Sequence, residues 1–128
     1  MTKTRGFTLI ELMVTLIIVA VLAAIAIPAY RKSVIKGNRR AAQSVMMEIV
    51  NREHQYFVAN RAYGDEAVLD CGLTPDVDAN YDCDIEVDPA DVLPAPSFKV
   101  TFTATGGQAS DGNLSVTSQG DKSPADKW

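Results

Sequence analysis

Residues 1–30, MTKTRGFTLIELMVTLIIVAVLAAIAIPAY, decide how the rest of the chain is read. Lys3 and Arg5 stand just before Gly6, and an apolar stretch then runs from Phe7 to Tyr30, broken only by Thr8, Glu11, Thr15 and Pro28. As a helix at about 1.5 Å per residue it measures roughly 36 Å, enough for a bilayer core of about 30 Å. Glu11 is out of place there: a carboxylate inside a membrane segment costs on the order of 3 kcal/mol unless it is paired or held near the interface. Cutting the chain after Gly6 would supply a partner. The new N-terminal ammonium of Phe7 would lie at i, i+4 from Glu11, on the same helix face, and the same pair could form between neighbouring chains.

Three ordinary readings compete. A secretory signal peptide has a basic start and a small-residue cleavage site, which Ala24-Ile25-Ala26 could imitate, but its apolar core is shorter and holds no acid. A signal-anchor without processing fits the length and leaves Glu11 unexplained. A buried core helix would need a domain large enough to cover it on all sides.

Gly6-Phe7-Thr8-Leu9-Ile10-Glu11 after a short basic leader, followed by an apolar helix with Pro28, resembles the class III signal of type IV pilins and type II secretion pseudopilins. The resemblance implies that a membrane prepilin peptidase cuts after Gly6 and N-methylates Phe7. It also implies that Glu11 sets registry against a neighbour's N-terminus and that the helices pack as the core of a filament. Implied partners are the peptidase, other pilin subunits, an inner-membrane assembly platform and the membrane. The implied location is the inner membrane as a single-pass precursor with a periplasmic C-terminal domain, then an extracellular pilus.

Charge is divided along the chain. Within the net −4 of its 128 residues, residues 31–61 carry seven Lys and Arg against two Glu, a net +5. Residues 62–128 carry three Lys against thirteen Asp and Glu, a net −10. The two regions attract each other or their counterparts on neighbouring subunits. An acidic lobe is a poor surface for phosphates, so no nucleic acid is expected as a partner. The basic residues at 31–40 outnumber those of the leader. By the positive-inside rule alone they favour a cytoplasmic C-terminal half, opposite to the topology the resemblance implies.

Past the apolar stretch, Pro28 predicts a kink or local melting near Ala24–Pro28, and Gly37-Asn38 a second weak point. Beyond it Ala42, Val45, Met46, Ile49, Glu53 and Tyr56, with Phe57 beside them, follow amphipathic helical spacing, whereas Arg39, Arg40, Gln43, Glu48 and Arg52 fall largely elsewhere. This predicts one helix over about 7–58, with a lipid- or helix-facing half at 7–30 and an amphipathic half at 31–60. Asn60 and Gly64 are candidate helix breakers. Residues 65–80 read as an irregular connection.

Strands follow by alternation: Tyr81, Cys83, Ile85 and Val87 against acidic neighbours; Phe98, Val100, Phe102 and Ala104; Leu114 and Val116. Asp88-Pro89 through Pro96 and Gly106-Gly107 to Gly112 supply turns, and 118–128 reads as an irregular tail ending in Trp128. The fold class is α+β: a long N-terminal helix packed on three or four antiparallel strands, as in the pilin fold. The expected division is leader 1–6, apolar helix 7–30, amphipathic half 31–60 and sheet region with acidic loops 61–128.

Fainter similarity extends downstream. Gly37-Asn38-Arg39-Arg40, Arg52-Glu53-His54-Gln55-Tyr56, Asp111-Gly112-Asn113-Leu114-Ser115-Val116 and Gly120-Asp121-Lys122 are similar to PilE-type minor pilins of type IVa systems. That pattern carries cysteines near the places of Gly112 and Lys127, so its C-terminal disulfide loop cannot form here. Cys71 and Cys83, the only two cysteines, suit a disulfide in an oxidising compartment. Two separate thiols remain the alternative, and a metal site lacks a Cys-x-x-Cys pair and has only His54 to add.

Catalytic chemistry has no foothold: nucleophile arrangements, phosphate loops and zinc motifs are absent, and His54 beside Glu53 fits a solvated helix face. The acidic run Asp76, Asp78, Asp82, Asp84, Glu86, Asp88, Asp91 lacks EF-hand spacing. No cofactor or metal and no enzymatic activity are expected. The expected function is a structural, minor subunit of a type IV pilus. A type II secretion pseudopilin comes next, then a pilus-tip adhesin or DNA-uptake pilin.

Overall fold

The computed structural model describes residues 6–88 and 95–128. The expected leader up to Arg5, and the turn from Pro89 with Asp91, lie outside the described residues. The chain divides into two compact units, Met1–Val34 and Ile35–Trp128.

The first unit is the N-terminal part of helix α1 (Leu9–Asn60), which is long and apolar enough to cross a membrane. Its apolar side chains find no cover among the described residues. Phe7 is 85% exposed, Leu9 77% and Ile25 70%. That much apolar surface in water opposes the hydrophobic effect, so this helix half is built for lipid or for other helices. Pro28 lies inside α1, with helical residues on either side.

In the second unit the rest of α1 covers a four-stranded antiparallel sheet of order β1-β2-β3-β4. The strands are β1 (Tyr81–Asp88), β2 (Ser97–Ala104), β3 (Leu114–Thr117) and β4 (Lys122–Ser123). Register pairs Ile85 with Val100, Cys83 with Phe102 and Val100 with Val116, which brings the apolar side chains of three strands onto one face. Against it α1 sets Ala42, Val45, Met46, Ile49 and Val50, and the core is completed by Tyr81, Phe98, Phe102, Leu114 and Val77. At about 25 cal/mol per Å² of apolar surface, this face is the unit's main source of stability.

Several local features differ from the sequence expectations. Asn60 is the last helical residue, but neither it nor Gly64 is the left-handed residue that stops the helix. Arg61 takes the left-handed conformation, φ +59°, and its amide closes back on Phe57 O at 2.8 Å. A side chain with Cβ there is strained by about 1 kcal/mol, a role glycine usually takes. Gly64 serves another purpose, because a Cβ on it would meet Leu69 Cδ1 at 2.8 Å.

Residues 65–80 are not wholly irregular: Pro75–Asp78 forms a one-turn helix, α2, with Pro75 at its start and Val77 buried. Gly106–Asp111 forms a 3-10 turn. The tail is also ordered, since β4 pairs with β3 through Ser115–Ser123 and Val116–Lys122, and Trp128 packs on the core with Lys122 Nζ 4.7 Å from its ring centre.

Candidate processing and assembly site

Gly6 and Phe7 precede the helix, and Gly6 has open space where a Cβ would point. Thr8 is the N-cap of α1. Its amide and its hydroxyl both donate to Glu11 Oε2, at 2.9 and 2.8 Å, and the Glu11 amide donates to Thr8 Oγ1 at 3.3 Å. This is a reciprocal capping box, which satisfies amides that no helical carbonyl can reach. The signal Thr-x-x-Glu stands plainly at 8–11, and weighing Glu11 only as half of a charge pair passes over it. With the leader attached, the Glu11 carboxylate therefore has local partners. Thr15 is satisfied in the same way, donating to Glu11 O at 2.6 Å.

Cys71 and Cys83 form a disulfide with Cα atoms 6.5 Å apart, joining the connection after α1 to β1. Arg52, expected on the free face of the helix, grips this loop instead. Its guanidinium donates to Asp70 O at 2.9 Å and Cys71 O at 2.8 Å. One turn of helix therefore clamps the cross-linked segment to the domain.

A polar cluster that sequence periodicity did not find ties the 3-10 turn and the tail to α1. Arg39 makes an ion pair with the buried Asp111, its Nε lying 2.6 Å from Oδ2. The hydrogen bond from Arg39 and its positive charge hold the Asp111 carboxyl below its usual range against the effect of burial. Gln108, also buried, donates to Tyr81 Oη at 2.9 Å and reaches Ile35 O at 3.0 Å, and burial pushes the Tyr81 phenol up. Gln43 donates to Lys127 O at 2.7 Å, and Lys127 Nζ donates to Asp111 O. A Cβ on Gly112 would lie 3.3 Å from Lys127 Nζ. The end of the Lys127 side chain thus lies beside Gly112, bonded to the carbonyl just before it.

Glu53 is fully buried. Its Oε2 accepts from the Gly64 amide at 3.0 Å, while Oε1 has no partner among the described residues, and burial raises its pKa above the ordinary carboxylate value. The outward side chains of β1, namely Asp82, Asp84, Glu86 and Asp88, are all exposed. Among the described residues no three His, Cys, Asp or Glu side chains converge to hold a metal ion.

Residues 28–115 match the family model described as type IV minor pilin ComP, DNA uptake sequence receptor, and residues 1–27 match the prokaryotic N-terminal methylation motif. The chain is 32% identical over 105 residues to the type IV major pilin protein PilA of Myxococcus xanthus (strain DK1622), covering 77% of this chain and 47% of that protein. It is 32% identical over 84 residues to type II secretion system core protein G of Escherichia coli (strain K12), covering 62% and 58%. It is 52% identical over 48 residues to prepilin peptidase-dependent protein D of the same bacterium, covering 38% and 30%. The chain spans about half the length of the curated relatives it matches. No solved structure matches it. A matched methylation motif, an uncovered apolar helix and a helix-on-sheet unit agree on one assignment: the chain belongs to the family of type IV minor pilins.

Proposed function

We propose that this chain is a non-enzymatic subunit of a type IV pilus that reaches the filament through the inner membrane. Prepilin peptidase cuts after Gly6 and methylates Phe7, and the apolar half of α1 holds the precursor in the bilayer. An assembly platform then moves it into contact with other pilins. The observation that carries this reading is the apolar helix directly behind Gly6-Phe7-Thr8-Leu9-Ile10-Glu11, whose side chains nothing among the described residues covers. In a filament, neighbouring helices would cover it. The local opening expected near Ala24–Pro28 belongs to that packed state, where freed backbone groups could find neighbours.

The disulfide supports a periplasmic position for the C-terminal unit, since such bonds persist in oxidising compartments. Intact-mass and N-terminal analysis of protein from native membranes tests the reading. A chain starting at methylated Phe7, two hydrogens lighter before reduction, is expected; a chain starting at Met1 overturns it.

The description of the matched family favours a second reading, in which the chain receives DNA. The charge of this chain opposes it. Residues 62–128 carry a net −10 with only three Lys, of which Lys127 holds a carbonyl and Lys122 lies over the Trp128 ring, while on α1 Arg39 pairs with Asp111 and Arg52 holds two carbonyls. Phosphate binding needs several free, clustered Lys and Arg. A gel shift of the full chain in detergent with duplex DNA at low salt decides. No shift is expected, and a salt-sensitive, sequence-selective shift would restore the DNA reading.

A further inference from the structure

Cys71 and Cys83 line a cleft of about 440 Å³ between the connection after α1 and the start of β1. The acids of that cleft come from three places in the chain. Glu66 and Asp70 belong to the connection, Asp78 to α2, and Asp82 to the open face of β1, next to the half-buried Cys83. All four are exposed. The Arg52 guanidinium reaches the same segment, where it donates to the Asp70 and Cys71 carbonyls. Four carboxylates thus stand against this one cation around the disulfide, and the field over the sulfurs is negative.

A disulfide is opened by a thiolate, and a thiolate is an anion. Cys71 is 4% exposed and Cys83 is half-buried, so Cys83 Sγ is the sulfur that an outside thiolate reaches. A bond forms from the incoming sulfur to Cys83 Sγ, the bond between Cys71 and Cys83 breaks, and Cys71 leaves as a thiolate that takes a proton from water. A second thiolate attacks the added sulfur, which releases Cys83 and carries away a disulfide of the two small thiols. Each attack brings negative charge into the acidic cleft. At about 0.01 M salt the screening length is roughly 30 Å, so all four carboxylates act on the attacker, whereas at about 1 M it is roughly 3 Å and little of their effect remains.

We propose that this cleft makes the Cys71–Cys83 bond selective for the charge of the thiol that opens it, turning away anionic thiols and admitting cationic ones. The inference needs only the disulfide and the acids around it, and stands whether or not the chain enters a filament. It also sets the chemistry of any protein thiol that exchanges with this bond: the surface around the attacking cysteine has to be neutral or cationic to approach Glu66, Asp70, Asp78 and Asp82.

The test follows reduction of the full chain in a non-ionic detergent by 2-mercaptoethanesulfonate, doubly negative as its thiolate, and by cysteamine, whose thiolate carries no net charge. Freed thiols are alkylated and counted by intact mass. Each rate is compared with that of a chain carrying Glu66→Gln, Asp70→Asn, Asp78→Asn and Asp82→Asn, which keeps the side-chain shapes and removes the charges. Taking the ratio for each thiol cancels its intrinsic reactivity. At about 0.01 M salt the variant should react at least about tenfold faster than wild type with mercaptoethanesulfonate, and within about twofold of it with cysteamine. Equal acceleration with both thiols would mean a loosened loop, and no acceleration with either would mean acids without influence; both overturn the proposal. Wild type alone supplies a second measurement that depends on no variant. Raising salt to about 1 M should speed the sulfonate thiol severalfold and leave cysteamine nearly unchanged, and the same response from both overturns the proposal as well.

Discussion

Glu53 and Asp111 are both buried carboxyls, and they load stability in opposite directions with pH. Burial raises the Glu53 pKa, so its contribution is fully present below the ordinary carboxylate range and is lost as pH rises through its raised value. Arg39 lowers the Asp111 pKa, so its contribution is present at neutral pH and is lost as pH falls through that lowered value. Glu53→Gln keeps an acceptor for the Gly64 amide and removes the buried charge. Its Tm relative to wild type should therefore rise from about pH 5 to about pH 7. An equal loss at both pH values would contradict the burial argument. Asp111→Asn removes the counter-charge of Arg39 and should cost on the order of 2–3 kcal/mol at about pH 7 by urea titration, shrinking toward zero in strong acid. A deficit independent of pH would mean that packing, not charge, is what the residue supplies.

At the scale of elements, what the sequence revealed and what it hid follow from periodicity. β1, β2 and β3 alternate strictly between core and solvent, and a period of two over four to eight residues has no other common cause. α2, the 3-10 turn and β4 are two to six residues long and show no period, so composition reads them as loop. Arg39, Gln43 and Arg52 fall off the apolar stripe in a helical projection, which does not say where a long polar side chain ends. Their long side chains instead reach round the helix shoulder to an acid and to backbone carbonyls. The partners of Arg39 and Gln43 lie 72 and 84 residues away, beyond any local pattern. The pairing of Cys71 with Cys83 needed only the count of two. Closing a separation of 12 residues, this bond should stabilise the domain by roughly 3 kcal/mol. Cys71→Ser with Cys83→Ser should lose that amount by urea titration. A loss below about 1 kcal/mol would assign the clamping of this loop to Arg52 alone.

For the whole molecule, the proposed function turns on what Glu11 would do as its helix leaves the membrane for a filament. Two explanations coincide at this residue. The capping box with Thr8 accounts for a Glu at the third helical position on local grounds, with no neighbour involved. The registry reading needs the negative charge, to meet the ammonium that cleavage after Gly6 creates on an adjoining subunit. Glutamine separates the two, because it can complete a capping box without carrying charge. Under registry, Glu11→Gln and Glu11→Ala should both be cleaved by the peptidase and held in the membrane, yet enter filaments at least about tenfold less than wild type, since an unmatched end amine in an apolar core costs several kcal/mol. Thr8→Val removes the hydroxyl of the cap and keeps the charge, so it should assemble nearly as wild type does. The measurement is the ratio of chain in sheared filaments to chain in membranes for each variant. Normal entry of Glu11→Gln beside failure of Thr8→Val would reverse the assignment: the carboxylate would then serve the start of its own helix, and register between subunits would have to come from their folded domains.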